Sequence, residues 1–188
     1  LALVDHVTSP TGLVLPVAAI VAALGERGVD CLIDGAHAPG MLPLDVSAIG
    51  AAYYTGNFHK WVCAPKGAAM LHVRRDRQRG LHPAVISHGY NAPRPTSQFH
   101  VEFDWTGTAD PTPWLCVPAV IRTVGALVPG GWPEVRARNH ALVRAGRRIV
   151  AAAIGAALPA PEDMLGSLAS VALPPGSAAP PTTPLYCD

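Results

Sequence analysis

Lysine is almost missing from this chain: of 188 residues only Lys60 and Lys66 are lysine, within a Lys+Arg total of 14. A surface studded with lysine is therefore excluded, and each remaining primary amine needs a reason. An excess of charge of one sign is missing too, since 14 basic and 13 acidic residues leave a formal charge of +1. That excludes the basic stripe on which phosphate-backbone binding depends, so no nucleic-acid partner is expected. No apolar run reaches the roughly 20 residues that a bilayer span needs, and no basic stretch precedes an apolar one at the start. No membrane partner is expected, and the cytoplasm is the default location. The four cysteines, Cys31, Cys63, Cys116 and Cys187, are far apart. They form neither a disulfide framework nor a CxxC pair, and no metal site is expected. Cys63 and Cys116 fall in apolar segments and read as core thiols.

What is present is a sequence able to bury a core, 49% hydrophobic and 14% charged, as folded domains are. Leu1 to Val7 reads as a buried strand closed by the breakers of TSPTG. Val17 to Arg27 has helical spacing with Gly28 as its stop, and Val29 to Asp34 is a second strand. Strand, helix and strand make a βαβ unit, right-handed and parallel, whose sheet should be covered on both faces. Ala52 to Gly56 and Ala68 to Arg74 read as further strands, separated by the loop NFHKWVCAPKG. The stretch from Leu81 to Thr108 is irregular and reads as a functional or interface loop. One helix is expected over Pro113 to Leu127 and another over Pro133 to Ala157, ended by Pro159 and Pro161. Gly166 to Leu173 could be a strand of a second, smaller domain. The fold class is thus α/β, a mostly parallel sheet flanked by helices, with residues 1–158 as a large domain. Residues 159–188 are expected to be a linker and the start of a truncated small domain. The chain opens on a strand without Met and stops after a Pro-rich stretch, which reads as part of a longer protein.

Both lysines lie in the single segment FHKWVCAPKGAA. Arginine stays protonated and cannot form an imine, whereas lysine can. An amine kept in an arginine-rich background is a candidate nucleophile; the alternative is a surface lysine that escaped the compositional bias. Asp34 ends the strand CLID, at the carboxyl edge where open parallel sheets bind ligands. A carboxylate there is costly to bury unless it meets a positive charge, such as a protonated heterocycle. The alternative is a turn former followed by Gly35.

Taken together, IDGAHAPGMLPLDV and YYTGNFHKWVCAPKGAAMLHV, with DHVTSPTGLVLP before them and EFDWTGTADPT after, resemble class V aminotransferase-type enzymes. These depend on pyridoxal 5'-phosphate (PLP), and the motifs are most similar to the isopenicillin N epimerase-like branch. The resemblance runs from Leu1 to about Pro174 and implies the large domain of PLP fold type I, in part. It implies that Lys60 holds the cofactor as an imine and moves protons at the substrate α-carbon, while Asp34 holds the pyridine nitrogen. His37 stands where related desulfurases carry Gln, next to the phenolic oxygen. Asn57 and His59 would bind the phosphate, and Thr108 would reach the phosphate of a neighbouring subunit, which implies a homodimer. Ser9 occupies the place of a desulfurase Asn that faces the cofactor, a departure from the desulfurase pattern. His88 and Tyr90, in the SHGY loop, are candidate contacts for an amino-acid substrate. Epimerase or racemase chemistry is the first reading. A C–S lyase, a desulfurase-like activity or an aminotransferase is the second, and a catalytically silent fragment is the reading of another class.

Overall fold

The computed structural model describes residues 1–91 and 97–174. Four strands form one sheet in the order β1 (Ala2–Asp5), β2 (Cys31–Gly35), β3 (Tyr53–Asn57) and β4 (Ala69–Val73). The first three are parallel and β4 runs antiparallel, as expected of a mostly parallel sheet. Asp5 pairs with Asp34 and Asp34 with Thr55 across the register, so these side chains share one face near the carboxyl edge of the parallel strands.

The other face carries the core. Helix α1 (Val17–Gly25) presents Val17, Val21 and Leu24 at helical spacing to Cys31, Ile33 and Tyr54 of the sheet. A fully buried aliphatic side chain such as Ile33 contributes about 1.5–3 kcal/mol, so Ile33→Asp would break the layer. A one-turn helix α2 (Val46–Ile49), capped by Asp45 accepting from the Ala48 N–H at 3.0 Å, closes the same layer. Its four residues are too few to show periodicity in sequence. Cover on both faces is not what the described residues show: Leu3 and Leu71, on the face opposite α1, are 70% and 41% exposed.

After β4 the chain forms α3 (Gln98–Phe103) within the stretch read as irregular. The helix expected over 113–127 is two, α4 (Thr112–Leu115) and α5 (Val117–Gly125). Pro118 is the cause, because it has no N–H to give the Trp114 carbonyl. The long helix α6 spans Gly131–Ile154 and ends on Gly155 at φ 65°, a left-handed cap that glycine adopts without strain. No strand forms over 166–173. This stretch instead follows a bridge between Leu165 and Leu13, and Ser170 donates to the Pro10 carbonyl at 3.0 Å. Residues 159–165 dock on α6 through Arg144 and Arg148 to Glu162, and through Arg147, which donates to the Ala160 carbonyl at 2.8 Å. The remainder of the expected small domain, with Cys187, lies outside the described residues.

Candidate active site

The site grows from the turn that follows β2. Asp34 Oδ1 accepts from the Ala36 N–H at 2.9 Å, and the Ala38 N–H bonds back to the Gly35 carbonyl at 2.8 Å. This side-chain turn is what Asp favours at a strand end, and it swings His37 across the carboxyl edge. Only Oδ1 of Asp34 is engaged by described residues, leaving its second oxygen for a partner.

Lys60 reaches the same place from β3. The loop after β3 is closed by the Ala64 N–H to Phe58 carbonyl bond at 2.9 Å and the Cys63 N–H to Lys60 carbonyl bond at 3.2 Å. Gly40, at φ +82°, lets the loop approach: a Cβ there would lie 2.7 Å from the Trp61 carbonyl atoms. Lys60 Nζ then lies 3.0 Å from His37 Nε2. On the ring's other side the Trp61 indole N–H donates to His37 Nδ1 at 3.3 Å. Burial lowers the His37 pKa, the Lys60 charge lowers it further, and Asp34 and Asp5 pull it up. His37 therefore senses both the amine and the carboxylate that sequence singled out, and it stands neutral between them. Lys66, the other lysine, is exposed.

Behind this edge His6 Nδ1 and the Tyr54 hydroxyl bond at 2.8 Å with their rings edge to face. Burial pushes the His6 pKa down and the Tyr54 pKa up, so both are uncharged near neutral pH. Asn57 ends β3 half-buried, and its amide bonds no described residue. His59 is tied by Nδ1 to the Ala68 carbonyl at 3.3 Å. Ser9 is exposed in the loop after β1, whose turn is held instead by Thr8, accepting from the Leu13 N–H at 2.9 Å.

Thr108, His88 and Tyr90 gather elsewhere, around a hollow of about 1190 Å³ that Trp105 and His100 also line. Ser87 builds it, donating to the Trp105 carbonyl at 3.0 Å, and Gln98 fastens its floor to the Gly89 carbonyl at 2.6 Å. Beneath lies the buried carboxylate of Glu102, held by His82 at 2.6 Å and Gln98 at 2.9 Å. These hydrogen bonds keep it below the usual carboxylate range. None of the hollow's residues bonds Asp34, His37 or Lys60 among the described residues. Cys63 corrects the reading of a core thiol: it is exposed, at φ 65°, on the loop that carries Lys60, while Cys116 is half-buried. Sequence reasoning missed Trp61 and Gly40. An aromatic residue in an apolar loop and a glycine in a turn carry no sequence signal of their own that would have found them.

Fold and site define an α/β protein that sets one lysine amine beside an imidazole at the open edge of its sheet, next to the turn that Asp34 holds. A cysteine desulfurase from Thermococcus onnurineus NA1 has the same fold, at TM-score 0.70 and 18% identity over 92% of this chain and 44% of its own. The family model for aminotransferase class V matches residues 1–157, and the chain belongs to that family. A protein of Oryza sativa subsp. japonica whose name places it among L-cysteine desulfhydrases is 41% identical over 177 residues, 93% of this chain and 36% of its own. The isopenicillin N epimerase of Streptomyces clavuligerus is 36% identical over 188 residues, 93% and 46% of the two chains. The chain thus spans less than half the length of these relatives. The family uses PLP, in agreement with the cofactor expected from sequence. The donor set here fits it, with an amine for its aldehyde and a half-free carboxylate for its ring nitrogen. No described helix is long and apolar enough to cross a membrane.

Proposed function

We propose that this chain is the cofactor-binding part of a PLP enzyme that acts at the α-carbon of an amino acid, with epimerase or racemase chemistry as the first reading. The observation that carries the proposal is the approach of Lys60 Nζ to within 3.0 Å of His37 Nε2, on the edge where Asp34 keeps one carboxylate oxygen unengaged. Bound there, PLP supplies an electron-poor ring that stabilises negative charge on the substrate α-carbon. Asp34 would keep the ring nitrogen protonated by charge pairing, and His37 would hydrogen-bond the phenolic oxygen. Lys60 would hold the cofactor through its amine and, when that amine is free, would take and return the substrate α-proton as general base and acid. Asn57 and His59 bind the phosphate, with Ser9 at the cofactor's edge. Thr108 completes the phosphate site of a partner subunit in a homodimer, and His88 and Tyr90 contact substrate. Residues 1–158 act as the cofactor domain and 159–188 as the passage to a smaller one, in a cytoplasmic protein.

A C–S lyase is the second reading, favoured by the relatives named as desulfhydrases. Protonation of the α-carbon from the opposite face gives the epimer, whereas loss of a β-sulfur substituent gives the lyase product. The fold is common to both. Borohydride treatment of the protein with PLP should leave a phosphopyridoxyl group, the imine reduced to a secondary amine after loss of water, on the peptide containing Lys60, and Lys60→Ala should abolish the adduct. Equal labelling of both proteins overturns the proposal. Incubation with L-amino acids in deuterium oxide then separates the reactions, α-deuterated product of both hands marking an epimerase and released sulfide marking a lyase.

A further inference from the structure

We propose that residues 164–170 form a strap that holds the loop after β1 and the turn after β2 in one arrangement, so that the chain after α6 and the candidate site move together. The two loops leave neighbouring strands, with Asp5 paired to Asp34, and they carry Ser9 and His37. Among the described residues no hydrogen bond joins residues 8–14 to residues 36–42. Loops without such a tie open independently and at low cost. The strap supplies the tie from a distant part of the chain.

It grips the loop after β1 at several points. The Val14 N–H donates to the Met164 carbonyl at 2.8 Å, Leu13 bridges Leu165, and Ser170 donates to the Pro10 carbonyl at 3.0 Å. Between these points Gly12, at φ +69°, makes room for Leu168: a Cβ there would lie 2.8 Å from the Leu168 Cβ. Its hold on the turn after β2 is one close contact, Gly166 against Met41, where a Cβ would overlap the Met41 sulfur. Met41 is 3% exposed and Leu165 6%, and a close-packed contact transmits displacement where a solvated one absorbs it. His140 of α6 fixes Gly166 from behind, its Nδ1–H donating to the Gly166 carbonyl at 2.9 Å, because a carbonyl only accepts. Ser170 and Pro10 lie 160 residues apart. Closing so long a chain costs entropy, which the buried contacts at Leu165 and Met41 offset. By reciprocity, whatever orders the two loops also orders the strap. That the loops serve a cofactor rests on PLP binding at Lys60; the strap itself does not.

The test is amide hydrogen exchange read by mass spectrometry on the 188-residue chain, in peptides covering 8–14, 36–42, 164–170 and α5. Ser170 hydrogen-bonds only the loop after β1, yet in Ser170→Ala exchange should also quicken over 36–42, by roughly fivefold, the weight of one hydrogen bond. Ser170→Thr keeps the hydroxyl and should restore the slow rate. Gly166→Ala pushes on Met41, yet exchange should rise over 8–14. Amides of α5 should stay unchanged in both, which a general loss of stability would not allow. Variants that each disturb only the loop they touch overturn the inference. Should Gly166→Ala not fold, the 36–42 amides of Ser170→Ala decide alone. PLP added to the wild type should slow exchange over 164–170. PLP captured at Lys60 without that slowing overturns the coupling to the site. Crossed exchange effects without any capture leave the strap standing and sink the PLP reading.

Discussion

Two histidines contribute to the acid sensitivity of this protein near neutral pH. His6 and His37 both have pKa values pushed below the ordinary 6.5, by burial in each case. As pH falls the unfolded chain takes up their protons before the folded one, so stability is full above about 6.5 and declines as pH falls toward the folded values. Thermal melts from about pH 7.5 to about pH 5 should show that decline, and His6→Gln should flatten it. An unchanged slope in the variant would assign the acid sensitivity elsewhere. Lys60 and Asp34 are legible in sequence because each breaks a compositional or positional expectation: a lysine in an arginine-rich chain, a carboxylate at the end of a buried strand. His37 gains its role only by resemblance to a family motif. Trp61 carries no signal, since an aromatic residue in an apolar loop is ordinary.

Among the elements, the turn after β2 and the loop after β3 act as one unit, clasped at Gly40. Gly40→Ala puts a Cβ 2.7 Å from the Trp61 carbonyl in a backbone region that costs other L-residues about 1–2 kcal/mol. We expect a lower melting temperature and reduced borohydride capture at Lys60, the second effect being the one that a stability loss elsewhere would not produce in still-folded protein. Residues 81–91 and 97–108 are tied together through Glu102, whose pKa is lowered by His82 and Gln98. Its contribution is present above the ordinary 4.5 and lost as pH falls through the lower folded value, a window beneath that of the histidines. Glu102→Gln should weaken the hydrogen bond to His82, leave the sheet intact, and raise protease cleavage within 81–108. On α6, Arg147→Ala removes the donor to the Ala160 carbonyl, and cleavage near 156–161 should increase as a buried hydrogen bond worth about 1–3 kcal/mol is lost. Strands and long helices are legible because their periods repeat over several residues. The four-residue α2 and the break at Cys116 are not, because a single cap and a single proline decide them.

At the scale of the whole molecule, Thr108 is the residue whose role needs a second copy. It sits in the hollow with His88 and Tyr90, apart from Lys60. If it serves the neighbour's phosphate, mixing Lys60→Ala with Thr108→Ala protein should restore PLP capture to one subunit type, the one that retains Lys60. Restoration that fails in a mixed dimer, proven by mass spectrometry, places Thr108 in its own subunit. The open sheet face around Leu3 and Leu71 shows how far tertiary structure exceeds sequence: alternation tells which residues share a face, but not whether anything packs on it. Sequence alone determined the α/β order and the parallel strands and singled out Lys60 and Asp34 as candidates, because hydrophobic period and residue type are local properties. Only the tertiary structure decided that His37 lies between Lys60 and Trp61, that residues 159–170 fasten back onto α6 and the loop after β1, and that Cys63 faces solvent. Each of these depends on the approach of segments distant in the chain, which close packing fixes and local composition does not encode.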